Sequence, residues 1–168
     1  VIIATYLRPD LIVPCVQSVL ANDYPDFEVL VVDNGPDDPR TKAAIDELFG
    51  TDPRVRYLVE PRPGPSQARN AGLREARHDV VAFTDDAVIT DPNWLRSLTA
   101  PLLADASLAC VTGLTQPYEL ETEAQVWFEQ YGGMGGGYRP RRLEIGMADP
   151  PTVLFPFTSG AGASNNMA

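Results

Sequence analysis

Short runs of β-branched and other apolar residues alternate with helix-length segments over roughly the first 115 residues of the chain. Such runs are typical of buried strands, and the segments between them carry apolar residues at the spacing of a helix face. This alternation predicts crossover connections between parallel strands. We therefore expect an α/β fold in one domain over residues 1–168, with a mainly parallel sheet and helices on both faces.

The same patterns predict where the individual elements lie. Strands are expected at 1–4, 27–32, 55–59, 108–114 and 152–157, and one more opens the stretch 79–88. Helices are expected at 10–20, 41–49, 66–77 and 122–131, and one more begins at Asp91-Pro92. The run Gly132-Gly133-Met134-Gly135-Gly136-Gly137 cannot sustain regular structure.

Polar pairs follow three of the predicted strands: Thr5-Tyr6, Asp33-Asn34 and Asp85-Asp86. The carboxyl ends of parallel strands meet at one edge of a sheet, which is where such folds bind ligands. Neighbouring strand residues point to opposite faces, so we expect Asp85 and Asp86 to have different tasks. One suits a sugar hydroxyl and the other a divalent cation. The alternative is that the two acids only begin a turn.

Composition excludes some classes of function. The net charge of −10 argues against a nucleic-acid groove, which needs basic patches. It still allows nucleotides, because Mg²⁺ or Mn²⁺ can mediate between carboxylates and phosphates. Cys15 and Cys110 lie among apolar residues and are expected to be buried thiols. No apolar run approaches the ~20 residues that span a bilayer, so no membrane segment is predicted within this chain.

Five stretches together carry a family resemblance. They are VIIATYLRP at 1–9, VLVVDNG at 29–35, GPSQARNAG at 64–72, FTDD at 83–86 with DPNWL at 91–95, and GAGASNNMA at 160–168. In this order they resemble the family 2 inverting glycosyltransferases, which have a GT-A fold. The resemblance implies transfer of a sugar from a nucleotide-diphosphate sugar to an acceptor hydroxyl, with a divalent cation (Mg²⁺ or Mn²⁺) as cofactor.

The resemblance also implies roles for individual residues of the nucleotide site. Thr5 and Tyr6 would line the base pocket, and Asp33 would accept a hydrogen bond from the base edge. Arg69 would reach the base or the diphosphate, and Asp85 would hold the ribose.

For the metal, the resemblance implies Asp86, with Asp85 beside it. The family's motif is commonly Asp-x-Asp followed by a further acid, whereas Ala87 follows Asp86 here. This is the shorter Asp-Asp form, and it leaves open which of the two acids touches the metal.

The last stretch resembles the acceptor side of the family's site, with Gly160, Ala161, Asn165 and Asn166 as its candidate residues. Residues 1–115 would form the nucleotide-binding half and residues 116–168 the start of the acceptor-binding half. We expect the domain to be truncated at both ends, and the general base to lie beyond Ala168. The arginines after the glycine run, at 139, 141 and 142, form either a solvated linker or a flap over the anionic donor.

The implied partners are a nucleotide-diphosphate sugar and a sugar, lipid-linked or small-molecule acceptor, and no nucleic acid is expected. The implied location is the cytoplasm, including the inner face of the membrane. A nucleotidyltransferase-like protein is an alternative, although the loop after the first strand lacks glycine. A sugar-nucleotide-binding module without transfer activity stays open. A dinucleotide dehydrogenase is disfavoured, since no G-x-G-x-x-G follows the first strand.

Overall fold

A computed structural model of the chain describes residues 1–131, 133, 142 and 166–168. The elements, in chain order, are β1 Ile2–Thr5, α1 Pro9–Leu20, β2 Val29–Asp33, α2 Pro39–Phe49, β3 Val55–Val59, α3 Pro65–Glu75, β4 Phe83–Asp85, α4 Trp94–Ala104, α5 Glu123–Gln130 and β5 Asn166–Met167. Strand and helix alternate as far as α4, which confirms the expected α/β fold.

The strands form one sheet in the order β3-β2-β1-β4-β5. β1 pairs in parallel with both β2 and β4, β2 pairs in parallel with β3, and only β5 is antiparallel to its neighbour. In this register Thr5 lies opposite Asp33, and Asp33 lies opposite Val59. Ala4 lies opposite Asp85 on the other side of β1. The sheet therefore brings the ends of four parallel strands to one edge.

Alternating residues of the strands build a core on each face of the sheet. Ile3, Val29 and Val31 pack on one face against helices α1, α2 and α4. Ile2, Leu30 and Val32 pack on the other face, against α3. β2 is buried along its whole length, as expected for a strand covered on both sides. The prediction of helices on both faces is confirmed.

Proline and glycine set the helices in place. Pro9, Pro39 and Pro65 are the first residues of α1, α2 and α3, where the missing N–H has no intrahelical partner to lose. Gly72 lets α3 approach the sheet closely, because a Cβ there would lie 2.6 Å from Cγ2 of Ile2. This close approach sets the distance between the sheet and α3, the helix that carries Arg69.

Two predicted strands differ from the structure. The fourth strand is limited to Phe83–Asp85, because β1 runs beside it over only three residues. The segment 108–114 is not a regular strand: Thr112 forms an isolated bridge to Met167, flanked by backbone hydrogen bonds of Val111 to Ala168 and of Gly113 to Asn166. Most residues of this segment are exposed, and the expectation that Cys110 is buried is wrong. Cys15 is buried in α1 as expected.

Some predictions fall outside the described residues. These are the strand at 152–157, the candidate acceptor residues Gly160, Ala161 and Asn165, and the segment 132–142 apart from Gly133 and Arg142. The predicted helix at 122–131 is confirmed as α5, which begins with a capping box between Thr122 and Gln125. Among the helices that the structure describes, none is long and apolar enough to span a membrane.

Candidate functional site

The candidate site lies at the carboxyl edge of the sheet, where β1, β2 and β4 end. Its centre is Asp86, which is 5% exposed and follows the last residue of β4. The hydroxyl of Thr5 donates to Oδ2 of Asp86 at 2.8 Å. The end of β1 thus holds the carboxylate that follows β4, although 81 residues separate the two in the chain.

Asp85 has a different environment from Asp86. Nη2 of Arg69, on α3, donates to Oδ1 of Asp85 at 2.9 Å, and the Asp85 side chain is 43% exposed. Asp86 is held by residues of β1 and the loop after it, so the two neighbouring acids contact different parts of the fold. This arrangement agrees with the alternation expected from a strand end. One carboxylate is accessible and the other is enclosed.

Asp33 is fully buried at the end of β2, and both of its carboxylate oxygens are engaged. The N–H of Gly35 donates to Oδ1 at 2.8 Å, and the hydroxyl of Tyr57 donates to Oδ2 at 2.6 Å. Burial, reinforced by this bond to Asp33, raises the pKa of Tyr57 above its ordinary value. Asp33 therefore links β2 to β3 from within the sheet edge.

Asn34 organises the loop that leads from β3 to α3, a role that the sequence did not reveal. Its Nδ2 donates to the carbonyls of Glu60 at 2.6 Å and of Arg62 at 2.7 Å. Its Oδ1 accepts from the N–H of Gly64 at 2.8 Å. An amide can donate and accept at once, which a carboxylate cannot. The Asn-Gly pair at a strand end was the available signal, but it indicates a turn and not the turn's partners.

Glu60, which follows β3, is a further buried acid, to which no role was assigned from the sequence. It is 4% exposed, and Nε and Nη2 of Arg62 donate to its two oxygens at 2.8 and 2.7 Å. These hydrogen bonds lower the pKa of Glu60 to about 2. Glu60 is accordingly a charged anchor for the loop and not a proton donor or acceptor near neutral pH.

The loop after β1 carries two large exposed side chains. Tyr6 is 59% exposed and Leu7 is 43% exposed. A Cβ on Gly35 would lie 2.9 Å from Cδ2 of Leu7 and 3.2 Å from Cδ2 of Tyr6. The glycine that follows Asn34 thus leaves the space into which this loop folds.

Two further residues near the site have structural partners. Asn166, in β5, lies opposite Thr84, and its Oδ1 accepts from Nε1 of Trp94 at 2.8 Å. Its Nδ2 donates to the carbonyl of Leu114.

Cys15 lies under the end of β4, and its thiol donates to the carbonyl of Asp85. Burial, and next the charge of Asp86, raise the pKa of Cys15 to about 12, so it is not a thiolate nucleophile.

A divalent cation fits the donor set only with help from other ligands. Within the described part of the chain, no three His, Cys, Asp or Glu side chains come together as a metal cluster. The pair Asp85 and Asp86 offers carboxylate oxygens, the donors that Mg²⁺ and Mn²⁺ prefer. One or two carboxylates suffice for these ions when phosphates and water supply the remaining ligands. The site is thus suited to an ion that arrives with a phosphorylated ligand.

The fold and this edge define an open α/β protein of the GT-A type with its polar residues at the strand ends. The family model "Glycosyl transferase family 2" matches residues 1–164. The chain belongs to this family.

Individual relatives agree with this. A chondroitin synthase of Pasteurella multocida is 31% identical over 109 residues, which cover 65% of this chain and 11% of that protein. A mannosyltransferase of Pyrobaculum calidifontis, solved in complex with GDP-Man and Mn²⁺, superposes with a TM-score of 0.63 at 28% identity and covers 70% of this chain and 35% of that one. Residues 1–349 of TarS from S. aureus have the same fold, with a TM-score of 0.61 at 22% identity, covering 72% and 36% of the two chains. The chain thus spans only a small part of the curated relative and about a third of the solved structures.

Proposed function

We propose that this chain binds a nucleotide-diphosphate sugar together with Mg²⁺ or Mn²⁺, as the donor-binding part of an inverting glycosyltransferase. The observation that carries the proposal is the convergence of Thr5, Asp33, Asp85 and Asp86 at one sheet edge in a family 2 chain. Asp86, with Asp85 beside it, would hold the cation, which would supply positive charge to the diphosphate of the donor. The neighbouring mannosyltransferase, solved with GDP-Man and Mn²⁺, supports both parts of the proposal.

In this proposal each strand end serves a different part of the donor. Tyr6, exposed on the loop after β1, lies against the base. Asp33 is the base-reading carboxylate, and because it is fully buried and bonded to Gly35 and Tyr57, the base reaches it only by displacing one of these partners. Asp85, accessible beside Arg69, takes the ribose, and Asp86 takes the cation. The acceptor is a sugar, a lipid-linked sugar or a small molecule, held by the half of the domain that begins near residue 116. The division into these two halves is part of the proposal.

The contrast between the two acids makes the cation assignment testable. Asp86→Asn keeps an oxygen that accepts from Thr5, so the fold is expected to persist. We expect this variant to lose the Mn²⁺-dependent part of the thermal stabilisation that UDP or GDP gives. Asp46→Asn is the matched control, because Asp46 is an exposed carboxylate on α2 that pairs with Lys42. Thermal unfolding is followed with each nucleotide, with and without Mn²⁺.

Three outcomes decide the assignment. Loss in Asp86→Asn, with retention in Asp46→Asn and in Asp85→Asn, supports Asp86 as the cation ligand. Loss of the Mn²⁺-dependent stabilisation in Asp85→Asn alone would identify the accessible carboxylate as the cation ligand and overturn the assignment of Asp86. Full Mn²⁺-dependent stabilisation in both site variants would show that neither acid is needed to bind the cation.

A further inference from the structure

Arg8, between β1 and α1, holds an exposed guanidinium over the enclosed carboxylate of Asp86. Its Nη1 lies 3.4 Å from Oδ1 of Asp86, and its side chain is 58% exposed while that of Asp86 is 7% exposed. Charge-assisted hydrogen bonds of this type are usually about 2.7–2.9 Å long. Arg8 is therefore directed to the site by a single long contact that leaves most of its donors unused.

The backbone that precedes Arg8 is strained. Leu7 has φ of 55°, the only positive φ outside glycine among the described residues. A bulky side chain in this region is unfavourable and persists only where the surroundings enforce it. Here Leu7 is packed against Gly35, where a Cβ would come within 2.9 Å of it. This turn ends at Arg8 and places that residue over the end of β4.

Other arginines at the same edge are committed to their partners. Arg62 donates from its backbone N–H, Nε and Nη2 to Glu60 at 2.7–2.9 Å. Arg69 donates to Asp85 at 2.9 Å and its side chain is only 24% exposed. Among the described residues Arg8 contacts no acceptor except Asp86. Arg8 and Arg69 each use one side-chain N–H group, but Arg8 makes the longer contact, 3.4 Å against 2.9 Å, and its side chain is the more exposed, 58% against 24%. Of these three, Arg8 is therefore both accessible and weakly bound to its partner.

The charge of the site edge indicates what the unused N–H groups of Arg8 bind. The site edge carries the carboxylates of Asp33, Asp85 and Asp86 in a chain of net charge −10, so an anionic ligand needs nearby cations. A guanidinium presents a planar fork of N–H groups that matches phosphate oxygens. Arg8 already lies next to the carboxylate proposed to hold the cation.

We propose that Arg8 binds the diphosphate group of a nucleoside diphosphate at the carboxyl end of β1. This inference rests on the proposed function, because it specifies how the donor's diphosphate is held. The strained turn at Leu7 and the space left by Gly35 position the guanidinium, and the single bond to Asp86 keeps it at the edge of the site when no ligand is bound.

The test compares ligands that differ in their phosphates. Dissociation constants for UDP and GDP, and for uridine and guanosine, are measured by competition against one fluorescent nucleotide, with Mn²⁺ and with EDTA. We expect Arg8→Gln to raise the dissociation constant of the preferred nucleoside diphosphate by roughly 10- to 100-fold, which corresponds to the loss of a charge-assisted hydrogen bond. The dissociation constant of the matching nucleoside should not change. Arg8→Lys, which keeps the charge without the planar fork, should lie in between.

Arg96→Gln is the matched control. Arg96 is also 58% exposed and pairs with one acid, Asp23, beyond the far end of α1. That helix of 12 residues is about 18 Å long, so this charge lies beyond the screening distance from the site at 0.15 M salt. Arg96→Gln should bind both classes of ligand as the parent chain does.

The outcomes separate this inference from the proposal on which it rests. A parent chain that binds neither UDP nor GDP would overturn the proposed function. A parent that binds them, with Arg8→Gln equal to Arg96→Gln, would overturn only the role of Arg8. Equal losses of nucleoside and nucleoside diphosphate in Arg8→Gln would also contradict a phosphate contact. Selective loss of the diphosphate ligand, partly restored in Arg8→Lys, would support it.

Discussion

The hydroxyl of Thr5 donates to Oδ2 of Asp86 at 2.8 Å, and both residues are almost fully buried. This bond joins the end of β1 to the residue after β4, two central strands of the sheet. It fixes the orientation of an acid whose other partner among the described residues, Arg8, makes only a long contact. Thr5 therefore holds the carboxylate at the centre of the candidate site.

Thr5→Val removes this donor and changes the shape of the side chain little. One oxygen of a buried carboxylate then loses its partner, and we expect the free energy of unfolding to fall by about 1–3 kcal/mol. Thr5→Ser keeps the hydroxyl, so its free energy of unfolding should fall by less. Urea unfolding of the three proteins measures the difference, and equal stabilities of the valine and serine variants would show that the bond does not contribute.

Asp33→Ala tests two roles of one carboxylate. The change leaves the hydroxyl of Tyr57 and the N–H of Gly35 without their acceptor, which should lower the free energy of unfolding by about 1–3 kcal/mol. If Asp33 also reads the base, the variant loses more affinity for UDP or GDP than for pyrophosphate. Calorimetry measures both ligands.

Tyr57→Phe is the control for this prediction, because it breaks the same hydrogen bond and leaves Asp33 in place. It should lose stability while still favouring the nucleotide over pyrophosphate as the parent does. Equal losses of nucleotide and pyrophosphate in Asp33→Ala would limit this residue to its structural role.

Asn34→Ala should loosen the loop between β3 and α3. The N–H of Gly64 donates to Oδ1 of Asn34, so its hydrogen exchange should become faster in the variant. The N–H of Glu60 donates instead to the carbonyl of Asp33, and its protection should change little. Exchange measured residue by residue provides this internal control. Unchanged exchange at Gly64 would show that other contacts hold the loop.

Glu60 should contribute to the acid sensitivity of the fold. Hydrogen bonds from Arg62 hold its pKa in the folded chain at about 2, below the ordinary value of 4.5. Between these values the unfolded chain binds a proton that the folded chain does not, so stability is lost as the pH falls. We expect the difference in unfolding free energy between the parent and Glu60→Gln to shrink as the pH falls from 4.5 to 2. A difference that is constant across this window would contradict the prediction.

The sequence by itself determined the class of fold and the edge that carries the site. Apolar runs such as Val29–Asp33 have strand character wherever they lie, and their alternation with helices allows little besides parallel crossovers. Parallel strands place their carboxyl ends together, so the sequence alone predicts that Thr5, Asp33, Asp85 and Asp86 lie at one edge of the sheet. The resemblance of short motifs added the family, which the match over residues 1–164 confirms.

Only the tertiary structure decided which groups these residues contact. Tyr57, 24 residues further along the chain, donates to Asp33, and Gly64, 30 residues beyond Asn34, donates to Asn34. The strand order and register bring both pairs into contact. The tertiary structure also decided how far each strand extends: β4 pairs with β1 over three residues, and the segment 108–114 pairs with the end of the chain only around Thr112. Hydrophobic periodicity and turn chemistry are local properties of a chain. Hydrogen-bond partners depend on how distant segments are aligned, and this alignment is fixed when the sheet is assembled.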